Sequence, residues 1–154
     1  MATEARPGPA VRAKDDPGVE AWGLMSEVFG ANRGRFIATL SEFDLWPPQW
    51  FALQALDEPT PMGKLAGMLH CDSSNITGIT DRLEQRGLVE RRAAGHDRRV
   101  KLLVLTRKGR NLRDEIHERL SVPPASIAEL SAADQRALRD IMLRAVENGA
   151  NSSE

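Results

Sequence analysis

The chain has 154 residues and a mass of 17.0 kDa, the size of one domain, with 41% hydrophobic and 28% charged residues. Its net charge of −1 and pI near 6.3, taken as averages, argue against a nucleic-acid binder. The sequence has no apolar run near the ~20 residues of a membrane span, no secretory h-region at its start, and one cysteine, Cys71, which excludes an internal disulfide.

Residues 1–15 are rich in Ala, Pro, Gly and charge and are expected to be a disordered tail. Asp16 and Pro17 suit an N-cap and first helical position. Trp22, Met25, Phe29, Phe36 and Leu40 then fall at largely helical spacings and predict a helix over 17–40. Leu45, Trp46, Pro47 and Pro48 break it, and Pro48 opens a second helix carrying Trp50, Leu53 and Leu56. Residues 62–69 form a short helix with Leu65, Met68 and Leu69 on its apolar side. His70 and Cys71 turn the chain, and Asp72 or Ser73 caps a helix over 73–86 that Gly87 ends.

Two strands follow, 88–92 and 100–105, joined by a polar hairpin tip over 93–99. Thr106 caps a helix with Leu112, Ile116 and Leu120, which Pro123 and Pro124 halt. Ser131 to Asp134 resembles a capping box, with Asp in place of Glu or Gln. It starts a helix with Leu138, Ile141, Met142, Ala145 and Val146 on one face; residues 149–154 are read as a tail. Helix–turn–helix followed by a β-hairpin is a winged helix. The fold class is therefore mainly α (α+β): a winged helix-turn-helix flanked by N- and C-terminal helices, one domain over 16–148.

Charge read by position reverses the average. Residues 60–110 hold eleven basic and five acidic side chains, a net of +6; the remainder holds ten basic and seventeen acidic ones, a net of −7. A local basic excess is what phosphate neutralisation requires. The alternative is a solvated charged face.

On a helical wheel, Ile76, Ile79, Thr80 and Leu83 share one side of helix 73–86. Ser74, Gly78, Asp81, Arg82 and Gln85 take the other, with Asn75 and Thr77 flanking. Small polar residues at Ser73, Ser74, Asn75 and Thr77 suit base edges or phosphates, and Gly78 admits a close backbone. A mid-helix glycine otherwise costs up to about 1 kcal/mol relative to Ala. At the hairpin tip, Asp97 orients an arginine while Arg98 and Arg99 suit a narrow minor groove; the alternative is a turn with solvated arginines.

Leu65-Ala66, Asp72, Ser74, Thr77, Asp81 to Glu84, Arg86 to Arg91, Asp97 to Arg99 and Leu105-Thr106 with Gly109 together resemble the MarR family of bacterial transcription regulators. The resemblance is dense over 45–110 and looser over 18–148. It implies a cytoplasmic, homodimeric winged-helix repressor, in some relatives an activator, on a pseudo-palindromic DNA operator. Residues 45–110 would be the DNA-binding lobe, and 16–44 and 111–148 the dimerisation helices. It also implies release by a small aromatic or phenolic effector. Trp22, Phe29 and Trp50, with Trp46, would line such a pocket; core or interface packing is the alternative.

The departures from relatives concern Cys and His. The first helix lacks the cysteine of peroxide-sensing relatives, and Cys71 reads as a small buried hydrophobe. His70, His96 and His117 are scattered, so no metal site and no cofactor are expected. The sequence contains no P-loop, GxGxxG, GxSxG or HExxH motif, and catalysis is not expected. The remaining rival is a winged-helix protein-interaction module that does not bind DNA.

Overall fold

The structure is a computed structural model that describes residues 16–94 and 100–151; the side chain of Ser73 is outside what it describes. The order of elements is α1 (Pro17–Glu42), α2 (Pro47–Gln54), β1 (Thr60–Pro61), α3 (Met62–Met68), α4 (Ser73–Gln85), β2 (Val89–Ala93), β3 (Lys101–Leu105), α5 (Arg107–Leu120), α6 (Ala125–Ala128) and α7 (Ala132–Asn151). The expected helices and both strands are present within a few residues of their expected ends. The chain divides into two compact units: Arg35–Ala125, and the segments before and after it.

The central unit is built around α2, α3 and α4. Their helical periodicity places Trp50, Leu53, Leu65, Ile76 and Leu83 in one core with Leu88, Val89 and Leu103 of the strand region. Leu40 at the end of α1 and Ile116 of α5 are fully buried in the same core. For that reason the unit is larger than the 45–110 lobe read from the sequence. Phe36 and Phe51 stack with ring centroids 6.1 Å apart. Met68, expected on the apolar side of α3, is instead half exposed, because Leu65 and Ala66 already fill the contact.

The sheet has a third strand that alternation did not reveal. Its order is β1-β3-β2, antiparallel throughout, with Thr60 opposite Leu103 on one side and Arg91 opposite Leu103 on the other. Two residues are too short to show a period of two, and Pro61 disguises the strand further. The turn between α4 and β2 depends on Gly87, at φ +68°. Gly109 in α5 sits against the Leu88 carbonyl, where an added Cβ would lie 2.0 Å from the oxygen. Thr106 secures that approach: its hydroxyl donates to Gly87 O at 2.7 Å and accepts from the Gly109 N–H at 3.0 Å.

In the other unit, Asp16 caps α1, its carboxylate accepting from the Gly18 N–H at 2.7 Å. Val19, Trp22 and Phe29 lie along one side of α1 and are exposed. The short α6 was not expected, since four residues carry no periodic signal. At the start of α7 the Asp134 N–H donates to Ser131 Oγ at 3.1 Å, the first half of the expected capping box, and the Ser131 hydroxyl rather than its backbone N–H donates to Asp134 Oδ2 at 2.6 Å. Ile141, Leu143 and Val146 of α7 are exposed. The helix continues to Asn151, past the start of the expected tail. Among the described residues no helix is long and apolar enough to cross a membrane. No cluster of three or more His, Cys, Asp or Glu among them is arranged to hold a metal ion.

Candidate nucleic-acid interface

Helix α4 presents the two faces read from its sequence. Ile76, Ile79, Thr80 and Leu83 are buried, while Ser74, Asn75, Thr77, Gly78, Arg82 and Gln85 are exposed. Of the two candidate caps, Asp72 is the N-cap. Its carboxylate accepts from the Asn75 N–H at 2.8 Å and from the Ser74 hydroxyl at 2.7 Å. These hydrogen bonds, the Asn75 N–H foremost, hold the Asp72 carboxyl below the usual carboxylate range. The small polar face is therefore anchored at its N-terminal end, where the helix is most favourable to anions. No atom meets a Cβ built on Gly78 within 4 Å, so packing within the chain gives no reason for a glycine there.

Asp81, expected among the outward residues, is only half exposed because Arg91 of β2 reaches it. The Arg91 guanidinium donates to Asp81 Oδ1 at 2.5 Å, Glu84 Oε2 at 2.8 Å and Thr80 Oγ1 at 2.9 Å. One arginine thus ties the first strand of the hairpin to α4 and pairs with both of the carboxylates that α4 carries. Arg86 acts at the other end of the helix, donating to Phe43 O and Asp44 O. Asp44 there adopts a positive φ of 52°. Lys108 donates to Arg86 O at 2.8 Å and Arg110 to Leu105 O at 2.8 Å. Sequence spacing cannot separate such structural cations from available ones. Among the described residues of the basic segment 60–110, Arg82, Lys101 and Arg107 are exposed cations whose side chains have no hydrogen-bonded partner.

Asp97, Arg98 and Arg99, the expected minor-groove contacts, lie outside the described residues, as does the rest of hairpin tip 95–99. The strands on either side of it, β2 and β3, are paired from Val89–Leu105 to Ala93–Lys101. Among the aromatics, Trp50 is buried in the core at 2% exposure, whereas Trp22 and Phe29 are exposed on α1. Cys71 is half-buried and packs against the core. A cleft of about 290 Å³ runs beside α4, with Ser74, Asn75, Gly78 and Arg82 on one wall and Trp46 and Pro48 on the other. A second cleft, of about 260 Å³, holds the Arg113–Asp57 ion pair (2.7 Å) beside His117.

Residues 45–101, which contain α2 to the start of β3, match the family model described as MarR family. This lobe is similar to the MarR family. The HTH-type transcriptional regulator YwoH of Bacillus subtilis (strain 168) is 34% identical over 83 residues, 53% of this chain and 60% of YwoH. The organic hydroperoxide resistance transcriptional regulator of the same organism is 32% identical over 78 residues, 49% of this chain and 53% of that protein. The chain thus spans less than two thirds of the length of these relatives. A MarR family protein from Bacillus stearothermophilus superposes with a TM-score of 0.77 at 23% identity, over 91% of this chain and 99% of that one. That likeness extends the MarR-type fold well beyond the matched lobe.

Proposed function

We propose that the chain is a sequence-specific DNA-binding transcriptional regulator: a homodimeric repressor on a pseudo-palindromic operator. The observation that carries this reading is the face of α4. Its small polar residues and Arg82 stand outward, opposite a buried apolar side, in a segment of net charge +6. In the bound state α4 enters the major groove with Ser73, Ser74, Asn75, Thr77, Gly78 and Arg82 toward the DNA. The wing over 93–99 reaches the minor groove through Arg98 and Arg99, with Asp97 orienting them.

The second copy covers the apolar residues that α1 and α7 expose, Trp22, Phe29, Ile141 and Val146 among them. Release by a small aromatic or phenolic effector belongs to the same proposal, with the exposed rings of Trp22 and Phe29 as its contacts. Trp50, already packed in the core, is not assigned such a contact. A cytoplasmic location follows from the regulatory role.

The test is the salt dependence of duplex binding. Six to ten phosphate contacts should lower affinity by roughly 10³–10⁵ between 50 and 200 mM salt. A lobe that shows no such loss, or no duplex binding at low salt, is a protein-interaction module instead.

A further inference from the structure

Trp46 occupies a position that the fold does not explain. Its neighbours Leu45 and Trp50 are buried at 3% and 2% exposure, yet Trp46 itself is 65% exposed. It is the N-cap of α2, and its backbone is fully used. The Trp46 N–H donates to Gln49 Oε1 at 2.9 Å, and its carbonyl accepts from the N–H groups of Gln49 and Trp50. The indole is not needed for any of these bonds. It stands across the cleft from Ser74, Asn75, Gly78 and Arg82, the outward residues of α4.

The helix start beside it has little to offer a phosphate. Pro47 and Pro48 fill the first two helical positions and have no N–H. The Trp46 N–H is taken by Gln49. The amides that usually make a helix N-terminus an anion site are therefore absent or occupied. What remains is an apolar lip, Trp46 with Pro48, alongside a polar, cationic helix face. Such a lip suits the carbon surface of DNA, the deoxyribose edge and the thymine 5-methyl group, better than its charge.

We infer that Trp46 is a direct DNA contact, packing its indole on the apolar surface of the major-groove wall beside the bases that α4 faces. This rests on the DNA-binding reading of α4 and adds a DNA-contacting residue from a different helix. It acts by apolar contact, so it changes affinity without changing the number of phosphates neutralised.

The experiment uses the full chain and a fluorescein-labelled duplex carrying the motif that the wild-type chain selects from a random library. Trp46→Ala should weaken binding about tenfold, the order expected for losing one ring face of apolar contact. The slope of log affinity against log salt should stay at the wild-type value. Arg82→Ala, by contrast, should lower that slope by about 1. Trp46→Phe should keep most of the affinity. The change in indole emission on adding duplex should be smaller in Trp46→Phe than in the wild type. Replacing the flanking thymines with deoxyuridine assigns the contact to the methyl groups if wild-type affinity falls, and to the sugars if it does not. Equal affinity of Trp46→Ala and wild type, a changed salt slope, or an emission change that Trp46→Phe retains in full would overturn the inference. A wild-type chain that selects no duplex would instead overturn the reading on which it rests.

Discussion

Gly78 and Gly109 are both helical glycines, and the chain uses them for opposite reasons. Gly109 is required by the Leu88 carbonyl, against which no Cβ fits. Gly78 has open space around it, and in an isolated chain alanine would serve the helix better by up to about 1 kcal/mol. Gly78→Ala is therefore expected to raise the unfolding midpoint in urea and, on the proposed docking of α4, to weaken operator binding, because the added methyl would stand between the α4 backbone and DNA. Lower stability, or unchanged affinity, would remove Gly78 from the interface. The wheel pattern made Gly78 legible in the sequence, since a helix period fixes which side each residue takes. Gly109 was legible only as part of a motif, because its partner is a carbonyl 21 positions earlier. Trp46 was read as pocket, core or interface, and periodicity alone had no way to place an N-cap side chain against a different helix.

Between elements, the contact that matters most to the site is the Arg91 fork. The guanidinium is 27% exposed, and the Asp81 and Glu84 carboxylates 44% and 38%, so solvent screens the pairs. Arg91→Ala is expected to cost about 1 kcal/mol of stability and to speed amide exchange in Val89–Ala93. It should weaken DNA binding beyond that, since α4 then presents two unpaired carboxylates. Arg91→Lys restores one bond at most and should fall short of wild type. Normal exchange in β2 of the alanine variant would contradict the clamp.

At the start of α4 the cap sets a pH limit. The folded-state carboxyl of Asp72 titrates below its unfolded value near ~3.9. Its stabilisation is thus complete above that value and is lost as pH falls through the lower folded one. Amide protection at Asn75, followed by NMR, should hold from neutral pH to below the ordinary Asp value and be lost only as pH falls through the lower folded one. In Asp72→Ala the protection should be low at every pH; a loss beginning near pH 6 would point to another group. The sequence left the cap open between Asp72 and Ser73, because both residue types cap well. It concealed β1 altogether, since that strand exists only by pairing with β3.

At the scale of the whole molecule, the near-zero net charge results from segregation. The basic excess lies over 60–110, and the acidic excess lies outside it. Part of that basic excess is structural, because Arg86, Arg91, Lys108 and Arg110 are committed to partners within the chain. The winged-helix architecture was legible because helix periodicity, caps and a polar hairpin agree in chain order. The extent of the central unit was not, since Leu40 and Ile116 join its core from helices assigned elsewhere.

The central claim is that two copies of α4 read one operator. In vitro selection of duplexes bound by the full chain addresses it most directly. The expected result is an inverted repeat whose half-site centres lie about 10–10.5 base pairs, or a small multiple of that, apart. A pool with no enriched motif, or one with a single unrepeated site, would contradict the account.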